Sequence, residues 1–141
     1  MEIWELVARE TIRHLVAGYA HAADRGRFEE VATLFGSQGV LELPDGRVLQ
    51  GRDAIHAFLV DTAAAMKPAN APTVVRHHVA SHRIAVQGPD AADGYAYFLV
   101  VTARGPDHWG RYVDRYGRDD DGEWRFARRR VRVDGRADPH P

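Results

Sequence analysis

The order of the predicted helices and strands restricts the fold of this chain more than any other feature. Helical periodicity stops before Pro68, and after Pro72 only strand-like segments follow, separated by turn-rich runs. The four strand candidates are Val74–Val86, Tyr95–Thr102, Trp109–Arg118 and Glu123–Val133. Helices that precede a long antiparallel sheet are typical of an α+β domain. We therefore predict one α+β domain over residues 1–141, with an ordered core over 3–133 and a polar C-terminal tail.

Three helices are predicted in the first half, because apolar residues recur there at helical spacing. The first spans about 3–24 and is followed by Gly26, which suits a C-terminal cap. A hairpin, residues 40–43 and 47–49, turns at Asp45-Gly46 before the third helix. The apolar residues behind the three helices are, in order, Ile12, Leu15, Val16, Tyr19, Ala20 and Ala23; Phe28, Val31, Ala32 and Phe35; and Ile55, Phe58, Leu59, Thr62, Ala63 and Met66.

The first long strand candidate contains a change of apolar parity. Val75 and Val79 are odd-numbered, whereas Ile84 and Val86 are even-numbered. A one-residue slip of this kind predicts a β-bulge near residues 80–82, which would bend the strand.

Composition excludes several classes of function. The chain is 45% hydrophobic with a formal net charge of -1, so it has no net attraction to nucleic acid or anionic membranes. It contains no cysteine, which excludes disulfides and thiolate chemistry. No apolar run reaches the length of a membrane span, and the start lacks a signal-peptide pattern. We therefore predict a cytoplasmic protein. No phosphate-binding glycine loop occurs, so we also predict that the protein needs no cofactor.

Asp24 stands at an unfavourable place, the C-terminal end of the first helix. A carboxylate there faces the negative end of the helix dipole, which costs up to about 1 kcal/mol unless something compensates. It follows Tyr19, on the apolar side of the helix, by five residues. A possible partner is His77, which shares a strand face with Val75 and Val79. A broken local rule of this kind indicates a functional site.

The three polar residues suit acid–base chemistry. A carboxylate bonded to one imidazole nitrogen fixes the tautomer and makes the other nitrogen a better base near neutral pH. Tyr19, with Tyr112 from a facing strand, could donate hydrogen bonds to a developing oxyanion. From the residues alone, blander interpretations stay open: a solvated turn residue for Asp24, a core histidine for His77 and a packing residue for Tyr19.

Short motifs along nearly the whole chain resemble the SnoaL-like branch of the NTF2-like superfamily. They are Tyr19-x4-Asp24-x-Gly26, residues 31–35 (VATLF), Gly51-Arg52-x-Ala54-Ile55, His77 before Ile84-x-Val86, Gly110-Arg111-Tyr112, and residues 122–126 (GEWRF). The resemblance implies a cone-shaped α+β barrel, in which a strongly curved, mostly antiparallel sheet wraps three N-terminal helices. It also implies an apolar pocket and, commonly, a homodimer.

The resemblance also bears on chemistry. In ketosteroid isomerases the base is an aspartate of the first strand after helix two, and the matching residue here is Leu43. The polar set is more similar to the dehydratase members, scytalone dehydratase and bile-acid 7α-dehydratase. The tyrosine, aspartate and histidine of the latter map onto Tyr19, Asp24 and His77. A further strand-borne acid of that family has no clear equivalent around residues 97–101.

The resulting prediction is a cofactor-independent lyase or isomerase that acts on a hydrophobic, polycyclic or steroid-like carbonyl compound. His77 is the general acid and base, Asp24 orients it, and Tyr19 assists. Residues predicted to bind the substrate are Tyr112, Leu43, Phe58, Leu59, Tyr97, Leu99 and Arg129. The alternatives are a non-catalytic binding or assembly module, similar to the small subunit of ring-hydroxylating dioxygenases, and a nuclear-transport-like interaction domain.

A group of histidines and a run of arginines each have an alternative interpretation. His77, His78 and His82 suggest a metal, but neighbouring strand residues point to opposite faces and no carboxylate has ligand spacing, so we predict none. The basic run 128–132 also alternates between faces. Arg129 could enter the pocket and pair with Asp24 or a substrate oxygen, although a solvated or interface position is favoured.

Overall fold

The computed structural model describes residues 1–65 and 74–138. Its helices are α1 (Ile3–Asp24), α2 (Phe28–Thr33) and α3 (Arg52–Ala65). Its strands are β1 (Phe35–Glu42), β2 (Val48–Gln50), β3 (Val75–Gly88), β4 (Ala91–Thr102), β5 (Gly105–Arg118) and β6 (Trp124–Arg136). Helices precede the long strands, so the predicted α+β class is confirmed. Met66, Pro68 and Pro72, on which part of the prediction rests, lie outside the described residues.

The six strands form one curved, open sheet in the order β2-β1-β6-β5-β4-β3. β1 and β6 run parallel, and the other neighbouring strands run antiparallel. The hydrophobic core lies between α1 and the inner face of this sheet. α1 contributes Ala8, Ile12, Leu15, Val16 and Tyr19 at helical spacing.

Several element ends differ from the prediction, and β4 and β5 each begin four residues earlier than predicted, at Ala91 and Gly105. Phe35 belongs to β1 instead of helix two, because its fully buried ring packs against Phe126 of β6 at a centroid distance of 5.1 Å. This packing outweighs the helical spacing of the segment. β6 continues to Arg136, where it still pairs with His108 of β5, three residues beyond the predicted strand end at Val133.

The predicted bulge in β3 is confirmed. Pairing with β4 passes from Ala80–Tyr97 to Arg83–Tyr95, and Ser81 has a positive φ of 53°. Because of this slip, the even-numbered residues after the bulge face the core.

A second bulge, in β6, was not predicted. Arg128 pairs with Arg115 and Phe126 pairs with Tyr116, so Ala127 is the extra residue. The inward-facing positions of β6 therefore change from even numbers to odd numbers, and Arg129 turns towards the core.

Candidate active site

The structure brings Asp24 and His77 together. Nδ1 of His77 lies 2.5 Å from Oδ1 of Asp24. The backbone N–H of His77 also donates to both carboxylate oxygens, at 3.0 and 3.2 Å. Because an ionised carboxylate only accepts, Nδ1 carries the proton in this contact. In the neutral ring, Nε2 is then the nitrogen that can accept a proton.

The end of α1 determines where Asp24 lies. The N–H of Gly26 donates to the carbonyl of Ala23 at 3.1 Å and the N–H of Arg27 to that of Ala22 at 2.9 Å, with φ of Gly26 at +68°. This is a Schellman end, so the helix stops just after Asp24. β3 is an edge strand, and the His77 N–H points away from the sheet to the carboxylate. These donors offset the cost of a negative charge at a helix C-terminus.

The pair is largely buried but remains accessible. The Asp24 side chain is 9% exposed and that of His77 is 20% exposed. His77 pairs across the sheet with the buried Val100 and shares the inner face with Val75 and Val79. Within residues 1–65 and 74–138, Nε2 has no hydrogen-bond partner. A base held by a carboxylate thus lies beside an apolar wall.

Tyr112 lies near this pair. Its buried ring stacks on Phe98 at 4.6 Å, and Cζ of Arg129 lies 3.7 Å from the ring centroid. Burial raises the pKa of the Tyr112 phenol, the neighbouring Tyr19 and Asp24 raise it further, and Arg129 opposes the increase. The phenol therefore keeps its proton and is a hydrogen-bond donor.

Tyr19 adjoins Tyr112 but is packed deeply. Its ring meets Phe35, Tyr112 and Phe126 edge-on at 6.3, 6.0 and 5.6 Å, and Arg129 lies over it at 4.3 Å. Burial raises the pKa of Tyr19, and Arg129 partly offsets this. These contacts are those of a core residue, and a catalytic role for its hydroxyl remains a proposal.

Arg129 pairs with Asp114 and not with Asp24. Its Nε and Nη2 donate to the two carboxylate oxygens of Asp114, both at 2.9 Å, and both side chains are 0% exposed. The pairing with Asp24 that the sequence allowed is not found, and the favoured solvated position is wrong, because the side chain is completely buried. The physical reason is the bulge at Ala127, which turns Arg129 inward opposite Asp114 in the register.

Three polar residues of this region were missed by the sequence analysis. Oη of Tyr116 donates to Asp114 at 2.8 Å, and Nε2 of His82 lies 3.0 Å from Oη of Tyr116. A signal was present, because Asp114 lies midway between Tyr112 and Tyr116 on one strand face. A charged residue flanked by aromatic residues at a spacing of two indicates a buried, paired carboxylate.

The predicted substrate-binding residues separate into two groups. Leu43 is buried in the hydrophobic core, and Phe58 and Leu59 are partly buried and pack against this core. Tyr97 and Leu99 lie on the opposite face of the sheet, and Tyr97 is 52% exposed. Their predicted inward position is wrong, because the inner face of β4 consists of even-numbered residues such as Phe98 and Val100.

The other charged clusters are separate from the Asp24–His77 pair. His78 is exposed, and the part of the chain that is described contains no group of His, Asp or Glu that could hold a metal. On the outer face, Glu42 binds Arg128, Arg130 and Arg132 at 2.6, 2.9 and 3.3 Å, and these bonds lower its pKa.

A groove of about 740 Å³ also lies on the outer face. Neither Asp24 nor His77 lines this groove, so it is not the candidate active site despite its size. Its walls include Arg83, Asp93, Tyr95, Arg115 and Arg130.

Comparison with known proteins agrees with this architecture. Residues 4–130 match the SnoaL-like domain family. Rv3472 of Mycobacterium tuberculosis, a protein of unknown function solved as an aspartate-to-asparagine variant, is 30% identical, covering 92% of this chain and 73% of its own, with a TM-score of 0.77. No functionally curated protein matches. Among the described residues, no helix is long and apolar enough to cross a membrane.

Two further solved structures are similar. A candidate scytalone dehydratase from Novosphingobium aromaticivorans DSM 12444 is 23% identical, covering 100% of this chain and 93% of its own, with a TM-score of 0.83. A protein from Catenulispora acidiphila, solved in complex with S-DNPA, is 27% identical, covering 92% and 95%, with a TM-score of 0.74. The chain therefore belongs to the SnoaL-like domain family, and its fold is NTF2-like.

Proposed function

We propose that this protein is a cofactor-independent lyase or isomerase that transfers a proton at a carbon next to a carbonyl group. The observation that carries the proposal is the contact of 2.5 Å between His77 Nδ1 and Asp24, with Nε2 left without a partner among the described residues. A carboxylate-held imidazole is a suitable general base and acid, and such catalysis contributes roughly 10²–10⁴-fold in rate.

The proposed reaction begins when Nε2 of His77 removes the proton from the carbon. The electron pair of the broken C–H bond moves to the carbonyl oxygen as an enolate, to which Tyr112 and Tyr19 donate hydrogen bonds. In a dehydration, the enolate re-forms the carbonyl while the double bond between the α and β carbons forms and the bond to the β-hydroxyl breaks, and the imidazolium protonates the departing hydroxide to water. In an isomerisation, the imidazolium returns the proton to another carbon. Asp24 stabilises the imidazolium in both cases.

A hydrophobic substrate suits the residues around the pair. Val100, which pairs with His77 across the sheet, and Phe98 present apolar side chains on the inner face of the sheet. The related Catenulispora protein is solved with a small molecule, which supports ligand binding by this fold. We include polycyclic and steroid-like carbonyl compounds in the proposed class. The name of the Novosphingobium protein is compatible with dehydration on this fold.

The experiment uses a hydrophobic β-hydroxy ketone, the aldol adduct of benzaldehyde and acetone. Its dehydration produces a conjugated enone that absorbs in the ultraviolet, and loss of its α-protons in deuterated water is visible by NMR. We expect the parent protein to accelerate exchange, and His77→Gln to lower the rate by about 10²–10⁴-fold.

The matched control is His78→Gln, which changes the next residue on the opposite strand face and should leave the rate unchanged. Exchange by His77→Gln at the parent rate would refute the mechanism. Binding of the ketone by a folded parent protein without any acceleration would favour the ligand-binding module instead.

Two further parts of the prediction belong to this proposal. The family resemblance implies a homodimer, and we also propose a cytoplasmic location. Fractionation of cells that express the protein would test the location.

A further inference from the structure

We propose that the buried pair of Arg129 and Asp114 positions Tyr112, holding its ring so that its hydroxyl meets the substrate oxygen. This inference rests on the proposed function, in which Tyr112 donates to that oxygen. Arg129 is then a positioning residue and not a substrate ligand.

The strand register shows that Tyr112 is held from both sides. On β5, Gly110 pairs with Phe98 and Asp114 pairs with Arg129, so these two partners flank Tyr112 along the strand direction. Side chains stand roughly perpendicular to a sheet, so the flanking groups meet the two faces of the ring. The distances agree, since the Phe98 ring lies at 4.6 Å with an interplanar angle of 22° and the guanidinium carbon lies at 3.7 Å.

Arg129 is itself fixed by a chain of hydrogen bonds. Asp114 accepts two bonds from the guanidinium and a third, at 2.8 Å, from Tyr116. Because the Tyr116 hydroxyl gives its only proton to Asp114, it accepts from Nε2 of His82 at 3.0 Å. The chain connects the core to His82, which is only half-buried.

Stability alone does not explain a buried ion pair. Replacing such a pair with apolar residues of similar volume is often neutral or stabilising, because desolvation offsets the attraction. Here Nη1 of Arg129 is buried and has no hydrogen-bond partner among the described residues. Instead, the guanidinium lies among the rings of Tyr112, Tyr19 and Phe126 at 3.7–4.4 Å. Orientation of these rings is a contribution that an apolar pair would lack.

The first test measures the Tyr112 ring directly, without a substrate. NMR on carbon-labelled tyrosine reports whether the two edges of each ring give separate signals, as they do when ring flips are slow. The double variant Arg129→Met with Asp114→Leu removes the pair without leaving an unpaired charge. We expect separate Tyr112 signals in the parent and ring flips at least about tenfold faster in the double variant.

Controls guard against a general loss of structure. Arg128→Met alters the adjacent arginine on the outer face, so the Tyr112 signals should not change. If the double variant does not fold, Tyr116→Phe removes only the hydroxyl between Asp114 and His82, and the same change in ring motion is expected in milder form. Tyr112 signals identical to those of the parent in a folded variant would overturn the proposal.

The second test is a mutant cycle on the dehydration of the β-hydroxy ketone. Tyr112→Phe and the Arg129→Met, Asp114→Leu variant should each lower kcat with little change in KM. Combined, they should lose no more than Tyr112→Phe alone, about 10²-fold. Losses that multiply would overturn the positioning role. If His77→Gln retains full activity, the proposed function fails, while the ring measurement still decides the inference about Arg129.

Discussion

Asp24 connects stability and chemistry in a single side chain. It accepts two hydrogen bonds from the backbone N–H of His77 and one contact from the ring, while its side chain is only 9% exposed. Charge-assisted bonds of this kind contribute more than neutral ones, so their removal should be measurable.

We predict that Asp24→Ala lowers the free energy of unfolding by about 2 kcal/mol, because the bonds of β3 to the carboxylate are lost. Asp24→Asn should be less destabilising, since its amide oxygen still accepts a hydrogen bond from the His77 N–H. It should nevertheless lower the rate at which the protein exchanges the α-protons of the ketone. Urea denaturation followed by circular dichroism measures both variants. An Asp24→Ala protein as stable as the parent would show that these contacts contribute nothing.

At the scale of residues, the sequence predicted the Asp24–His77 pair and Tyr112 near it, but not the partner of Arg129 or the outward position of Tyr97. A charge at a helix C-terminus and the parity of Val75, His77 and Val79 were enough to select Asp24 and His77. The partner of Arg129 was not predicted, although a signal of the bulge at Ala127 was present, since the apolar residues change from the even-numbered Trp124 and Phe126 to the odd-numbered Val131 and Val133. The inward position predicted for Tyr97 was wrong because both faces of β4 carry apolar residues, so the sequence does not show which face is buried.

At the scale of elements, α1 and the edge strand β3 are tied together at both ends of their contact. Nη1 of Arg9 donates to the carbonyl of Ile84 at 2.5 Å, and the Asp24–His77 contacts lie at the other end. Between these ties the β3 bulge turns His82 inward, where burial lowers its pKa despite the opposing charge of Asp114.

This depressed pKa of His82 has a defined effect on stability. In the unfolded chain the imidazole binds a proton more readily than in the folded protein, so stability is fully present above the ordinary pKa of about 6.5 and decreases as the pH falls below it. We predict that His82→Gln has a shallower loss of stability between about pH 7 and pH 5 than the parent. Urea midpoints at a series of pH values provide the comparison, and parallel curves would contradict it.

At the scale of the whole molecule, the order of helices and strands was sufficient for the fold class. The segregated pattern predicted α+β, and the parity slip predicted the bend in β3. The parallel pairing of β1 with β6 was not predictable from local patterns, because it joins segments about ninety residues apart through long-range contacts such as the packing of Phe35 on Phe126.

Assembly also belongs to this scale. Tyr95, Tyr97 and Trp109 are 36–52% exposed on the outer face of the sheet, among arginines, and such residues are enriched in protein interfaces. We predict a homodimer, so light scattering should give twice the protomer mass of 15.8 kDa. A mass of one protomer at micromolar concentration would contradict this.

The most direct test of the acid–base centre is the position of the imidazole proton of His77. Nitrogen NMR on a histidine-labelled sample, at a pH where the ring is neutral, distinguishes the two tautomers without any substrate. The contact with Asp24 predicts a proton on Nδ1 and a bare Nε2, with this preference weakened in Asp24→Asn. A proton on Nε2 in the parent protein would contradict the role of His77 as the base.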